Sequence, residues 1–435
     1  MKPEKNNTFC YYPFYQVALK TWDHRGFVNA APCCNAIRPE NTDPLNLNSK
    51  IENLTHEEVF NSPVMQELRE SMLNGEKHSA CATCWKMEDK GIASYRTYSS
   101  IDYELTEDKL TDPELTCIDF NFGDNCNLRC RMCQPGLSNK LRLDYKFFRK
   151  NNLDTHGIQG YEPDVLLDYR EQWKAENSEH EVLSWPDEST QWDNILNNIH
   201  KLTQIRAAGG ETTITKPFVE FIDKAIEVDH AKNVTLNFHS NATKFTDEFL
   251  DKLFKFKCLD LNFSIDSYGK NYEYIRYPMP WKTLDKSIRN FFEKSKFSTT
   301  KITVQCTNVL SSINAFNIPE IYSYWNDLKK EYPHVTFNFW VDFIWPESKF
   351  TNVKFLSREI KLELIDLYTE TFGEITYGIS HIIDYLKNNL DFEVTDAHRA
   401  DMLRELVVFD QARNQTYRDY IDARIINFLE TKIND

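Results

Sequence analysis

The sequence predicts an α/β protein: a partial, TIM-like (β/α)6 barrel with a small cysteine-rich N-terminal domain and a C-terminal helical extension. Three observations support this prediction. From about residue 115, short β-rich runs alternate with amphipathic stretches; before that point the chain is irregular and rich in cysteine; and after residue 346 its pattern is helical. Because strands joined by helices form parallel sheets, we expect domains at residues 1–110, 111–346 and 347–435.

Six runs have the composition of strands, in which β-branched and aromatic residues predominate. They cover residues 115–122, 203–208, 233–238, 259–265, 301–309 and 335–343. The intervals between most of them have the length of one crossover helix, which is the repeat of a parallel barrel. Six strands rather than eight indicate that the barrel is only partly closed.

The intervals between these strands show helical spacing of apolar residues. Residues 216–229 carry apolar side chains at positions 218, 219, 222, 225 and 226, which form one stripe on a helix. Thr246, followed by Asp247 and Glu248, predicts the N-cap of a helix that runs to about Phe256. Residues 280–296 and 318–331 have similar spacing, and residues 401–433 form the clearest helical run of the C-terminal extension.

One interval is too long for a crossover helix. It separates the first two strands and contains a charge-rich stretch, residues 137–188, that includes Trp173 and Trp185. Segments of this length inside a compact domain are usually functional lids or disordered. We therefore expect an insertion at about residues 137–188 that covers the mouth of the barrel.

Composition and charge narrow the class of protein. Of 435 residues, 41% are hydrophobic and 27% are charged, which is typical of a soluble globular chain. The formal net charge of −15 argues against a broad nucleic-acid surface, because phosphate binding needs clustered Lys and Arg. The polar start has no apolar core of a signal peptide, and no apolar run is long enough to cross a bilayer. These features predict a cytoplasmic protein without a membrane partner.

Three of the eleven cysteines form one short motif directly after the first strand: Cys126, Cys130 and Cys133. Parallel barrels place their active-site loops at this position. Three thiolates can hold three corners of a cubane iron–sulfur cluster and leave one iron open to an exogenous ligand, since such clusters normally take four Cys ligands. The alternatives are a zinc knuckle that lacks one ligand and three thiols of a hydrophobic core.

A second group of cysteines lies in the first 84 residues: Cys10, Cys33, Cys34, Cys81 and Cys84. A CxxC pair with two more distant cysteines can hold zinc or complete an iron–sulfur cluster, and spacing alone favours zinc. Only four thiols are needed, so either Cys33 or Cys34 is spare. The isolated Cys117, Cys258 and Cys306 have the surroundings of small buried hydrophobic residues.

The CxxxCxxC loop after the first barrel strand resembles the signature of the radical S-adenosylmethionine (SAM) superfamily. The resemblance implies a [4Fe–4S] cluster on Cys126, Cys130 and Cys133, with SAM chelating the open iron. It also implies an enzyme in which an electron from the reduced cluster cleaves SAM to a 5′-deoxyadenosyl radical. A reductant such as flavodoxin or ferredoxin would supply that electron.

Later strand ends match this family in the same order. Gly209-Gly210-Glu211 resembles the Gly-Gly-Glu motif that binds the SAM amino group, where a glycine allows close approach and a carboxylate accepts from an ammonium. An ordinary strand-ending turn is the alternative. By the same resemblance, further contacts to the ribose, carboxylate or adenine of SAM fall on Asn241, Ser264, Arg276 and Met132. Arg276 could instead be a solvated arginine, Asn241 a turn residue and Met132 part of loop packing.

The N-terminal cysteines resemble the twitch/SPASM auxiliary-cluster modules of radical SAM enzymes. The resemblance implies a second [4Fe–4S] cluster on Cys10, Cys33, Cys81 and Cys84, with Cys34 as a bystander. Such modules usually follow the barrel, whereas this pattern precedes it. Zinc remains the rival metal.

The expected function is radical modification of a substrate after hydrogen abstraction, on a peptide side chain. The same chemistry on a small metabolite, sugar or nucleobase is the alternative. A non-catalytic iron–sulfur electron carrier would need no Gly-Gly-Glu motif. The sequence identifies no catalytic acid, base or radical-quenching residue.

Overall fold

The computed structural model describes residues 8–21, 28–36, 55–89, 94–97, 107–134, 137–156, 158, 190–344, 351–373 and 378–431. Their strands form one eight-stranded sheet in the order β2-β1-β3-β4-β5-β6-β7-β8. β2 runs antiparallel to β1, whereas β1 with β3, β3 with β4, β4 with β5 and β7 with β8 are parallel. The strands are β1 Gln16–Thr21, β2 Val28–Ala31, β3 Cys117–Asn121, β4 Gln204–Ala208, β5 Thr235–Ser240, β6 Cys258–Ser264, β7 Lys301–Leu310 and β8 Thr336–Phe343.

The predicted α/β fold is confirmed, and the six predicted strands correspond to β3 to β8. The sequence did not predict β1 and β2. β1 lies beside β3 in parallel, with Gln16 opposite Cys117 and Lys20 opposite Asn121. The N-terminal segment therefore extends the main sheet, and the expected domain boundaries at residues 110 and 346 stay predictions.

The helices between the later strands agree with the predicted ones. The Thr246 side chain accepts a hydrogen bond from the backbone N–H of Phe249, as an N-cap does, and its helix ends at Leu253, before the expected Phe256. The helices up to β8 are His56–Phe60, Pro63–Leu73, Ala82–Glu88, Glu107–Thr111, Arg142–Lys150, Thr190–Asn197, Lys216–Glu227, Asp247–Leu253, Gly269–Ile275, Trp281–Ser295 and Ile318–Glu331.

The C-terminal extension is helical, but its predicted main run is interrupted. Its helices are Arg358–Phe372, Ser380–Asn388, Asp396–Arg413 and Ala423–Glu430. The helical run expected over residues 401–433 is divided into two helices, because Asn414 adopts a left-handed conformation with φ of 51° and ends the first of them. Asparagine tolerates this conformation better than most residues, so it is a common helix terminator. Asp422 then caps the next helix through the N–H of Arg424.

The chain divides into two compact units. The first comprises Met1–Gly123, Val182–Phe238 and Lys255–Cys258, and the second Asp124–Glu181, His239–Phe254 and Leu259–Asp435. No helix among the described residues combines the length and the apolarity that a membrane span requires.

In the second unit, β6 and β7 bury every second residue. Their buried face packs on the helices Trp281–Ser295 and Ile318–Glu331; the Phe263 ring, for example, lies 5.5 Å from that of Phe291 and 6.0 Å from that of Trp325. Burying a side chain of this size contributes about 1.5–3 kcal/mol. The opposite face carries half-exposed polar side chains, including Asn262, Ser264 and Gln305.

Candidate metal and cofactor site

The cysteine motif lies in a loop that its own hydrogen bonds shape. The backbone N–H of Cys126 donates to Asn139 Oδ1 at 3.1 Å, and that of Leu128 donates to the Cys126 sulfur at 3.4 Å. The N–H of Cys133 donates to the Cys130 carbonyl at 3.1 Å, which closes a turn between the last two cysteines. Cys126 is buried, while Cys130 and Cys133 are half-buried.

A second segment fixes the same loop from outside. The backbone N–H groups of Arg129 and Arg131 donate to the carbonyls of Tyr277 at 2.7 Å and Ile275 at 2.9 Å. The Arg131 side chain donates from Nε to the Tyr274 carbonyl at 3.0 Å, and its guanidinium lies 3.6 Å from the centroid of the Tyr274 ring. The loop is thus held along its length by residues 274–277.

Charge around the loop suits thiolate ligands. Burial raises the pKa of the Cys130 thiol, and the Asp266 carboxylate acts in the same direction. The guanidinium groups of Arg276 and Arg413 act against both, although the pKa of this thiol stays raised overall. A thiol must lose its proton to bind metal, and nearby cations favour that loss. The set of three thiols therefore fits an iron–sulfur cluster, and the two guanidinium groups offset part of the cost of burying a thiolate. In the described part of the chain, however, no three His, Cys, Asp or Glu side chains are arranged to hold a metal ion, so ligation requires the thiols to turn toward a common point.

Asn241 supports the cysteine loop. Its Nδ2 donates to Asn127 Oδ1 at 2.8 Å, and Asn127 Nδ2 in turn donates to Thr243 Oγ1 at 2.8 Å. Thr243 also donates to Asn241 Oδ1 from its backbone at 3.1 Å and from its hydroxyl at 2.6 Å. This triad ties the end of β5 to the residue that follows Cys126. A contact between Asn241 and a ribose stays a prediction.

The predicted Arg276 pairs with a carboxylate that follows the end of β6. Arg276 Nε donates to the Asp266 carboxylate at 2.7 Å, and both side chains are nearly buried. Asp266 also accepts from the N–H of Val309 at 2.9 Å, which fixes this ion pair against β7. Burial lowers the pKa of the Arg276 guanidinium, but Asp266 and Cys130 outweigh it and raise that pKa overall, so Arg276 stays charged. Ser264 is half-exposed, as is Met132 in the cysteine loop.

The Gly-Gly-Glu motif lies in the first unit, after β4. Gly209 has φ of 95°, and a Cβ at this position would lie 2.3 Å from Asn121 Oδ1 and 2.8 Å from the Gly123 carbonyl oxygen. Its close packing against the end of β3 therefore already requires glycine. Gly210 also has a positive φ, of 57°. The buried Glu211 accepts at Oε1 from the hydroxyl of Thr213 at 2.6 Å and from its N–H at 3.2 Å.

The N-terminal cysteines lie close enough to interact. Burial raises the pKa of the Cys33 thiol, and Cys34, Cys10 and Cys81 raise it further. Burial, together with Cys10 and Cys84, raises the pKa of Cys81 to about 12. These effects relate Cys33 to Cys10, Cys34 and Cys81, and Cys81 to Cys10 and Cys84, and the ligand set itself stays a prediction. Cys34 also raises the pKa of the Tyr95 phenol. The phenol oxygen accepts a hydrogen bond from Arg206 Nη1 at 2.7 Å.

The sequence did not predict a contribution from the C-terminal helix Asp396–Arg413. Asp410 accepts from Arg131 Nη2 at 2.6 Å, and Arg413 Nη2 donates to Asp144 at 2.8 Å. Asp144 also pairs with Arg129 Nη1 at 2.9 Å. The helix therefore contacts the arginines of the cysteine loop. No local pattern could reveal this, because the partners lie far apart in sequence.

The start of the predicted insertion belongs to this packing. Leu141, Tyr145, Phe148 and Ile158 form one apolar cluster with Val408 and Phe409, and Cys133 packs against it. Residues 157 and 159–188, where most of the expected lid falls, lie outside the described residues.

A comparison with protein families concerns the segment that contains the cysteine loop. Residues 120–308 match the sequence model of the radical SAM superfamily. No curated protein matches the chain.

Among solved structures, native anSMEcpe with bound AdoMet is 15% identical, with 59% of this chain and 60% of that chain covered and a TM-score of 0.32. SuiB of Streptococcus suis bound to S-adenosylmethionine is 12% identical, with 68% and 60% covered and a TM-score of 0.33. SuiB bound to its precursor peptide SuiA gives the same values. The chain spans about 60% of the length of these proteins.

The matched segment begins in β3, contains all three cysteines of the loop and ends in β7. It also contains every SAM-contacting position expected from the sequence. Over residues 120–308 the chain is therefore similar to the radical SAM superfamily.

Proposed function

We propose that the protein cleaves SAM reductively at a [4Fe–4S] cluster held by Cys126, Cys130 and Cys133, and that the product radical abstracts hydrogen from a substrate. One observation supports this most strongly: three thiols share a loop that follows β3, inside the segment that matches the radical SAM superfamily. A bound cluster supplies the electron that breaks the sulfonium C–S bond of SAM, and the organic radical follows from that cleavage.

The residues of the chain bind and orient in this proposal. Glu211 accepts from the ammonium of SAM, and the Asp266–Arg276 pair holds a guanidinium at a fixed position for its carboxylate. Asn241 acts through Asn127 to keep the cysteine loop in place. Ser264 offers a hydroxyl at the end of β6.

One assay tests the proposed function. The protein is reconstituted with iron and sulfide under anaerobic conditions, reduced and mixed with SAM, and 5′-deoxyadenosine is measured by liquid chromatography. A radical SAM enzyme forms 5′-deoxyadenosine and methionine. A non-catalytic electron carrier takes up the electron and leaves SAM intact, which would overturn the proposal. Flavodoxin or ferredoxin is the proposed natural reductant.

For the substrate we favour a peptide, because a row of carboxamides crosses three strands of the second unit. Gln305 Nε2 donates to Asn262 Oδ1 at 3.1 Å, and Gln305 lies opposite Asn338 in the β7–β8 register. The Asn262 Nδ2 and Gln305 Oε1 atoms make no hydrogen bond to any described residue. Together they offer a donor beside an acceptor, which is the pattern that a peptide bond complements. Ser264 lies two residues beyond Asn262 on the same face.

Substitution of Asn262 and Gln305 should remove the stimulation of SAM cleavage by peptides. We expect a pool of random decapeptides to increase 5′-deoxyadenosine formation by the wild type, and the Asn262→Leu/Gln305→Leu protein to lose at least 90% of that increase. Each donor or acceptor of a bound peptide that the leucines leave buried without a partner costs about 1–3 kcal/mol. Thr303→Val, a change two residues earlier on β7, is the matched control and should keep the increase. Stimulation by nucleosides or monosaccharides and none by peptides would instead support the small-metabolite alternative.

For the affinity for SAM, the charge of Glu211 should be more important than its hydrogen bonds with Thr213. Removing one partner of a desolvated charge pair costs about 2–5 kcal/mol, so we expect Glu211→Ala to weaken SAM binding at least tenfold in a calorimetric titration. Glu211→Gln keeps an oxygen that can accept from Thr213 but removes the charge, and should weaken binding similarly. Wild-type affinity in Glu211→Gln would show that the motif is only a strand-ending turn.

We also propose that Cys10, Cys33, Cys81 and Cys84 hold a second [4Fe–4S] cluster. Support comes from the effects of Cys10 and Cys81 on the pKa of Cys33, from those of Cys10 and Cys84 on the pKa of Cys81, and from the resemblance to twitch/SPASM modules. Four thiolate ligands leave no open iron, so such a cluster exchanges electrons and does not bind substrate directly. Zinc is the rival metal.

A further inference from the structure

We propose that Arg413, on the C-terminal helix Asp396–Arg413, is a positioning residue of the cluster site: its buried cation acts on the Cys130 side of the loop and raises the reduction potential of the cluster. This rests on the proposed function, because it requires a cluster on the three cysteines of the loop. The helix lies outside the segment that matches the radical SAM superfamily.

Arg413 is completely buried and only partly satisfied. Its Nη2 and Nε donate to Asp144 Oδ2 at 2.8 Å and 3.3 Å, and the side chain has no solvent exposure. The guanidinium carbon lies 4.8 Å from the ring centroid of Phe409 and 5.3 Å from that of Tyr277. Its Nη1 has no hydrogen-bond partner among the described residues. Because a buried charged donor without an acceptor is costly, this atom calls for an anionic or polar group that the described residues do not supply.

The position of this cation relates it to the cysteine loop. Asp144, which pairs with Arg413 through Oδ2, accepts at Oδ1 from Nη1 of Arg129, the residue directly before Cys130, at 2.9 Å. The guanidinium groups of Arg129 and Arg413 lie 4.7 Å and 5.3 Å from the centroid of the same Tyr277 ring. Burial and the neighbouring Arg131 lower the pKa of Arg413 to about 10, while Asp144 counteracts them. Arg413 therefore stays protonated at neutral pH and contributes a full positive charge in a region of low dielectric constant.

Hydrogen bonds to Asp410 hold the helix against the cysteine loop. Asp410 accepts from Arg131 Nη2 at 2.6 Å, from the Tyr274 hydroxyl at 2.9 Å and from the N–H of Tyr417 at 2.6 Å. These contacts join the helix to the cysteine loop and to the segment that supports it. Breaking them would leave buried charges without partners, which opposes movement of the helix away from the loop.

The direction of the effect follows from electrostatics. Reduction adds a negative charge to the cluster and its thiolates. A fixed nearby cation stabilises that charge, and the interaction is strong because the site is buried. Net charge and hydrogen bonds to sulfur are among the factors that set iron–sulfur potentials. Loss of Arg413 should therefore make the cluster harder to reduce.

The test is a redox titration followed by electron paramagnetic resonance on reconstituted proteins of measured iron content. We expect Arg413→Gln to reduce the ratio of reduced to oxidised cluster at least tenfold at fixed potential, which is a midpoint about 59 mV more negative for one electron. Arg413→Lys keeps the charge and should stay within threefold of the wild type. Arg404→Gln is the matched control on the same helix, where Arg404 pairs with Asp154 and Asp401, and should not shift the midpoint.

A second variant acts in the opposite direction. Asp144→Asn removes the negative charge that offsets the positive charge of Arg413, so the midpoint potential of the cluster should rise. This variant tests the proposal if Arg413→Gln fails to bind iron. An unchanged midpoint in an iron-loaded Arg413→Gln protein overturns the proposal, as does an unchanged or lower midpoint in Asp144→Asn. Failure of the wild type to assemble any cluster would instead overturn the proposed function, so the two failures are distinguishable.

Discussion

A Cys130→Ala protein should form no 5′-deoxyadenosine from SAM under conditions in which the wild type does. Two thiolates would then remain for a cluster that needs three to leave one iron open for SAM. The guanidinium groups of Arg276 and Arg413 also favour the thiolate of Cys130, against the burial that raises its pKa. The expected loss is complete rather than partial, because the radical arises only from SAM bound at the open iron.

Cys258→Ala is the matched control for this variant. Cys258 begins β6 and belongs to neither thiol group, so its loss removes one sulfur from the chain without touching a proposed ligand. We expect wild-type 5′-deoxyadenosine yields from it. Retained production by Cys130→Ala, at normal iron content, would remove the basis of the assignment.

The second large effect concerns iron content. The anaerobically reconstituted wild type should approach about eight irons per chain, and the triple Cys126→Ala/Cys130→Ala/Cys133→Ala protein should keep about four. The remaining iron would belong to Cys10, Cys33, Cys81 and Cys84. A triple variant that contains zinc and no iron would refute the second cluster.

Neighbouring cysteines provide the control for the ligand set. Cys10 and Cys81 raise the pKa of Cys33, and Cys34 raises that of Tyr95. In the background of the triple variant, Cys33→Ala should therefore abolish the remaining iron, and Cys34→Ala should retain it. The reverse result would make Cys34 the ligand.

The sequence predicted those parts of the fold that are written in local patterns. The alternation of β6 and β7 and the apolar stripe of Lys216–Glu227 each arise from neighbouring residues, so period and capping signals such as Thr246 were sufficient. The interruption of the C-terminal run was also signalled locally, by Asn414.

Other features depend on partners that are distant in the chain. β1 is a short segment whose neighbour in the sheet, β3, begins at Cys117, and no period reveals such a pairing. The same holds for Arg413 and Asp410, whose partners Asp144 and Arg131 precede them by 269 and 279 positions. Motif spacing located the proposed ligands, but only the folded chain shows the charges around them.

The length of the strands in the first unit separates the proposed second cluster from the Gly-Gly-Glu motif. Pro32, directly before Cys33, accepts from the Gln16 side chain, so Cys33 is anchored near the point where β1 and β3 begin. Glu211 follows the opposite end of β4, which runs parallel to β3. Five residues of strand span about 16 Å at roughly 3.3 Å each. A cluster on the N-terminal thiols would therefore lie too far from a ligand at Glu211 to be bonded to it. An electron passing between them would have to travel along the length of the strands.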